Sequence, residues 1–168
     1  MLKIQAILKS RLKSARKVAI LGVGSELRRD DVAGIIVAQS INEYIKKRKI
    51  KTIKVFLGRT APENLTGEIK KFKPTHLIII DAADIGQKAG SIGIIDAAKE
   101  GGSSFSTHRM PIHFIKDYLE QSVGCDVIII GIQPKSISFG ETISPEVQKS
   151  VKILSAELID ILKKVRME

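Results

Sequence analysis

The stretch KVAILGVGSELRRDDVAGIIVAQSINEYI, Lys17 to Ile45, decides how the chain folds. It opens on an apolar run, Lys17 to Val23, that ends among Gly22 and Gly24. An apolar run without alternation suits a strand buried on both faces, and the glycines suit the turn that follows it. Past the turn, Asp30 and Asp31 precede Val32, Ile35, Ile36, Ala38, Ile41 and Tyr44 on one helical face. Acidic residues at that end complement the helix dipole. Strand, glycine turn and amphipathic helix are the first half of a parallel crossover unit.

The rest of the chain repeats the pattern. Ile53 to Leu57 reads as a second strand ending at Gly58, and Pro62, Glu63 and Asn64 open a helix that stops near Phe72, before Lys73 and Pro74. His76 to Ala82 is a central strand with Asp81 at its carboxyl end, and Gly90 to Ile95 is a further strand suited to an edge. Gly101 to Thr107 is a polar loop leading to His108. Pro111 to Gln121 reads as a helix, Asp126 to Ile132 as another central strand, and Ser144, Pro145 and Glu146 as the start of a long final helix. Alternating strands and helices imply a mostly parallel twisted sheet covered on both faces, a three-layer α/β/α sandwich. Ligands of such sheets bind outside the carboxyl ends of the strands.

Composition bounds the class. The chain has 168 residues, enough for one domain with a full core, and nothing marks a second. Leu2 to Lys17 carries Leu2, Ile4, Ile7, Leu8 and Leu12 among lysines, a basic amphipathic helix. This stretch, up to about Arg16, reads as an extension ahead of the core, so deleting Met1 to Ser14 is expected to leave the sheet intact. It lacks the apolar core and cleavage site of a secretory signal, and no run approaches a membrane span. A soluble, cytoplasmic protein is expected. Cys125 is the sole cysteine, which excludes an internal disulfide and a multi-cysteine zinc site and suits a packing role. The net charge of +10 could steer the chain toward nucleic acid or an acidic protein. At 4% aromatic content there is no stacking platform for bases, so no nucleic-acid partner is expected.

Two constellations could carry chemistry. Gly22, Val23, Gly24, Ser25, Glu26 and Leu27 begin like a dinucleotide fingerprint, but Leu27 stands at the third glycine position and Asp30 and Asp31 lie where a pyrophosphate needs positive charge. Arg59 could meet a 2′-phosphate, which keeps a nucleotide-binding enzyme as an alternative. The second constellation is Asp31, Asp81 and His108, from a helix start, a strand end and a loop that can meet at one edge. Two carboxylates and an imidazole suit a borderline divalent metal such as nickel, zinc, iron or manganese. The same residues could instead cap a helix, cap a turn and decorate a loop. Spacing leaves both readings open. His113, among Ile112, Phe114 and Ile115, suits packing or exposure, and His76 lies at the strand end opposite Asp81. Ser25, Ser103, Ser104 and Ser106 sit in no nucleophile motif.

These motifs resemble those of the hydrogenase maturation proteases, most of all the hydrogenase 3 type, over Lys17 to about Leu162. The resemblance rests on GVGSELRRDDVAG (22–34), APEN (61–64), IIIDAADIG (78–86), STHRMP (106–111), GIQP (131–134) and SPEV (144–147). It implies an α/β/α endopeptidase that removes a C-terminal extension from the large-subunit precursor of a NiFe hydrogenase once nickel is in place. It further implies that Asp31, Asp81 and His108 bind nickel carried by that precursor and serve as the catalytic residues. Ser25 and Val32 stand where the family usually has Asn and often Gly, a departure that bears on the turn geometry. A noncatalytic nickel-binding assembly factor is the other reading compatible with this resemblance.

Overall fold

The computed structural model describes residues 2–95 and 112–164. Helix α1 (Leu2–Arg11) is followed by β1 (Val18–Val23), α2 (Ala33–Arg48), β2 (Ile53–Arg59), α3 (Thr66–Phe72) and β3 (His76–Ala82). Then come β4 (Ile92–Ile95), α4 (Ile112–Val123), β5 (Asp126–Ile132) and α5 (Pro145–Leu162). The strands form one sheet in the order β2-β1-β3-β5-β4. All pairs are parallel except β4 with β5, so the expected parallel sheet carries one antiparallel edge strand.

Period-two alternation sorts the strand residues into two cores. Ile20, Ile78, Ile80, Ile128 and Ile130 pack with α1, α2 and α5 on one face. Leu21, Leu77, Ile79, Val127 and Ile129 pack with α3 and α4 on the other. Both layers bury apolar side chains, which is why β1 and β3 are buried at every position. This is the three-layer sandwich that the alternating pattern predicts.

The N-terminal segment departs from the sequence reading. Leu8, Leu12 and Ala15 belong to the first core, with Leu8 fully buried. Arg11 Nε donates to Asp126 Oδ2 at 3.0 Å at the start of β5. Helix α1 therefore packs into the core beside α5. Lys9 and Lys13 stay exposed beside it, because long cationic side chains keep their heads in water while the apolar face of the same segment packs. Cys125 is buried and its thiol lies 3.8 Å from the Leu119 carbonyl, the packing role expected of it. Burial pushes that thiol's pKa up, away from the reactive thiolate.

Candidate active site at the carboxyl edge of the sheet

The turn after β1 is shaped by Gly24. At φ +139° a side chain is disfavoured, and a Cβ there would stand 1.8 Å from the Asp31 carbonyl oxygen. The chain can thus fold back on itself, and residues Arg29–Val32 form a 3-10 turn, not the first turn of α2 as acid placement alone suggests. Val32 takes an ordinary helical conformation, φ −72°, so this position requires no glycine. Ser25 Oγ accepts a hydrogen bond from Leu27 N at 3.3 Å, the local turn bond that an asparagine side chain also makes. Both departures from the family pattern therefore preserve the turn.

Gly34 sets how close this turn comes to the sheet. A Cβ at that position would lie 2.1 Å from the Ile80 carbonyl oxygen and 2.5 Å from that of Val23. Only glycine lets α2 start between the ends of β1 and β3, and the 3-10 turn accordingly packs against β3. Asp31 and Asp81 are each 1% exposed at this edge, on neighbouring elements. Asp31 lines a cavity of about 260 Å³ with Ala82, Asp84, Gln133 and Lys135. Asp81 stands in register with Gly131 of β5.

Asp30, the other acid of the pair, has a separate task. Its carboxylate accepts from Lys135 N at 2.8 Å, Ser136 N at 3.0 Å, Ser144 N at 2.7 Å and Ser144 Oγ at 3.0 Å. Burial by itself would raise its pKa, but these backbone and hydroxyl donors outweigh burial and hold the carboxyl below its ordinary range. Around it, Arg29 N donates to Gly140 O at 2.7 Å, Gly140 N to Leu27 O at 3.0 Å and Asp30 N to Ser136 O at 3.1 Å. Segments 25–31 and 135–144 are thereby zipped into one wall of the cavity. Ser144, at the start of α5, gives its hydroxyl to Asp30 instead of its own helix.

Gln133 fixes the opposite wall. Its Oε1 accepts from Ile85 N at 2.8 Å and Gln87 N at 3.3 Å, which pins the loop that follows Asp81. Nothing in the GIQP motif marks the task of Gln133, and nothing in the adjacent acids marks Asp30 as the anchor. Both act on segments about 45 to 115 residues away, where no local pattern speaks.

His108 lies outside the described residues, as do the 101–107 loop and Pro111. Among the described residues no group of three histidines, cysteines or acids is placed to hold a metal. His113 is half-buried on α4 with its ring 4.4 Å from that of Phe114, in keeping with packing. His76 is buried at the amino end of β3, its Nδ1 3.0 Å from Thr75 Oγ1. Where a nucleotide enzyme would hold a pyrophosphate, this chain presents the buried Asp30 and Asp31. Arg59 reaches Glu26 instead, Nε to Oε1 at 3.7 Å.

The model of the hydrogenase maturation protease family matches residues 35–161. The chain belongs to the hydrogenase maturation proteases. A Methanocaldococcus jannaschii protein given the same family assignment is 36% identical over 168 residues, covering 98% of this chain and 99% of its own. The hydrogenase 3 maturation protease of Escherichia coli is 32% identical over 140 residues, 83% of this chain and 86% of that one. The crystal structure of a NiFe hydrogenase maturation protease from Thermococcus kodakarensis superposes with a TM-score of 0.85 at 29% identity, covering 94% and 99% of the two chains. As a maturation protease, this chain is a processing endopeptidase. No helix among the described residues is long and apolar enough to cross a membrane.

Proposed function

We propose that this maturation protease removes a C-terminal extension from the large-subunit precursor of a NiFe hydrogenase in the cytoplasm, after nickel has been inserted. The observation that carries the reading is the pair of buried carboxylates, Asp31 and Asp81, on touching elements at the carboxyl edge of the sheet. Buried acids are rare unless they pair or coordinate. Two oxygens here and the imidazole of His108 make a donor set that fits a borderline divalent ion. Nickel enters as part of the substrate, held by the precursor, so the three residues recognise a loaded precursor and position its chain. Bound nickel supplies Lewis-acid polarisation of a nearby oxygen. A carboxylate of Asp31 or Asp81 takes the proton of the water that adds to the scissile carbonyl, and the leaving amine is protonated in turn. Asp30 and Gln133 hold the two walls that keep these carboxylates in place.

The test is incubation of the protein with nickel-loaded and nickel-free precursor, followed by mass spectrometry. Loss of the extension from the loaded form alone is the expected result. Stable binding of loaded precursor without any mass loss would instead make the protein a noncatalytic assembly factor.

A further inference from the structure

Away from the carboxylate cavity, a groove of about 600 Å³ runs between the end of the 3-10 turn Pro62–Leu65, α3 and α4. Glu63, Thr66, Phe114, Ile115 and Tyr118 line it. Phe114 is 57% and Tyr118 48% exposed, unusual for two large rings side by side on one helix. Glu63 and Thr66 come from one side of the turn into α3, and Phe114 and Tyr118 are one helical turn apart on α4. At the far end, Lys70 Nζ donates to the Tyr118 hydroxyl at 3.1 Å and lies over its ring.

The anomaly in this apolar trough is Glu63. Its Oε2 is withdrawn from solvent and has no hydrogen-bond donor among the described residues. A shielded carboxylate oxygen without a donor is costly, and the cost is recovered when a donor arrives. The terminal torsion of a glutamate is soft, so either oxygen can turn into the groove. The groove lies at the amino ends of α3 and α4, with Glu63 shortly after the carboxyl end of β2. Leu77 and Ile79 pack into the α3–α4 layer, and alternation along β3 assigns Asp81 to the same face.

We infer that the groove of Glu63, Thr66, Phe114, Ile115 and Tyr118 is a peptide subsite for a segment in which a lysine or arginine is flanked by apolar side chains. The apolar neighbours cover Phe114 and Tyr118, and the cation donates to Glu63 in a water-poor setting where a charge-assisted bond is strong. Charge complementarity selects this occupant. Glu63 is the one acid among the residues that line the groove, and its Oε2 has no donor among the described residues, so a cation is the partner that completes it. The subsite rests on the processing-protease reading for its purpose, holding precursor chain near the carboxylates, but not for its binding chemistry.

The experiment is a titration of the isotope-labelled full chain, followed by amide NMR, with acetyl-Leu-Lys-Leu-amide and acetyl-Leu-Glu-Leu-amide. The lysine peptide should shift the amides of Glu63, Thr66, Phe114, Ile115 and Tyr118 and bind about tenfold more tightly than the glutamate peptide. Glu63→Gln, with an otherwise unchanged spectrum, should erase that preference, and Phe114→Ala should weaken both peptides. Equal binding of the two peptides by the natural chain overturns the inference, as does a preference that survives Glu63→Gln. So does the absence of shifts at about 10 mM peptide, above the millimolar affinity that a few contacts supply. With nickel-loaded precursor, Glu63→Gln should raise KM about tenfold at constant kcat. If the natural chain cleaves no precursor, the protease reading fails while the titration still decides the groove. If it cleaves and the titration is negative, the groove alone fails.

Discussion

At the scale of single residues, the adjacent aspartates Asp30 and Asp31 divide structure from chemistry. Asp30 receives hydrogen bonds from three backbone amides and a hydroxyl, whereas Asp31 faces the cavity. Replacing Asp30 by alanine strands those donors, and the expected cost is about 2–4 kcal/mol, read by urea unfolding. Because the folded carboxyl is depressed, its contribution is present above the unfolded value of 3.8 and is lost as pH falls through the lower folded value. The same unfolding experiment in Asp30→Ala should show a weaker acid dependence at that end of the pH range. For Asp31, Asp81 and His108, alanine variants are expected to lose cleavage of nickel-loaded precursor by roughly 100-fold or more. His113→Ala should retain it, since that ring packs beside Phe114. Full cleavage by Asp31→Ala, or a loss matched by unfolding in circular dichroism, would remove these residues from the working site.

At the scale of elements, the approach of α2 to the sheet and the docking of α1 set the geometry. A methyl group on Gly34 would meet two backbone carbonyls, and backbone cannot rotate away as a side chain can. Gly34→Ala should therefore push the 29–32 turn off β3. The expected signs are a loss of at least about 2 kcal/mol in thermal or urea unfolding and a collapse of cleavage greater than the stability loss explains. Helix α1 makes the opposite kind of statement, since its sequence looks expendable and its packing is not. Leu8 is fully buried and Leu12 nearly so, and Leu8→Ala should cost about 3 kcal/mol, a drop of roughly 6–12 °C in Tm. Removal of residues 1–14 should be more damaging still. A truncated chain that melts with the full-length protein would show that α1 is not part of the cooperative core.

At the scale of the whole molecule, the two ends of the sheet carry different charge chemistry. The carboxyl end holds Asp30, Asp31 and Asp81, and the amino end holds His76. Burial lowers the His76 pKa from its usual 6.5, only partly opposed by the Asp126 carboxylate, its Oδ2 4.0 Å from Nε2. The unfolded chain then takes up this proton at higher pH than the folded one. Stability should be at full strength above about 6.5 and should fall as pH drops from there toward the lower folded value. Unfolding midpoints between pH 7.5 and about 5, compared with those of His76→Asn, check this; an equal slope in the variant would assign the effect elsewhere. Asp30, held below its ordinary 3.8, titrates in a lower window, so the two contributions separate. Much of this architecture was legible beforehand, because burial on both faces forces continuous apolar runs such as Leu77 to Ile80, and glycine and proline punctuate them. The same logic set Asp81 at the carboxyl end of its strand, and the family motifs singled out Asp31 with it. What the local pattern could not carry was any contact between distant segments. The anchoring of 135–144 by Asp30, the tie from Gln133 to the loop after Asp81, the docking of α1 under Asp126 and the shielded oxygen of Glu63 all arose only on folding. The reason is physical: periodicity reports which face of an element is dry, and therefore its type and layer. Which polar group finds which partner depends on how separately specified elements meet, and that is decided by tertiary packing.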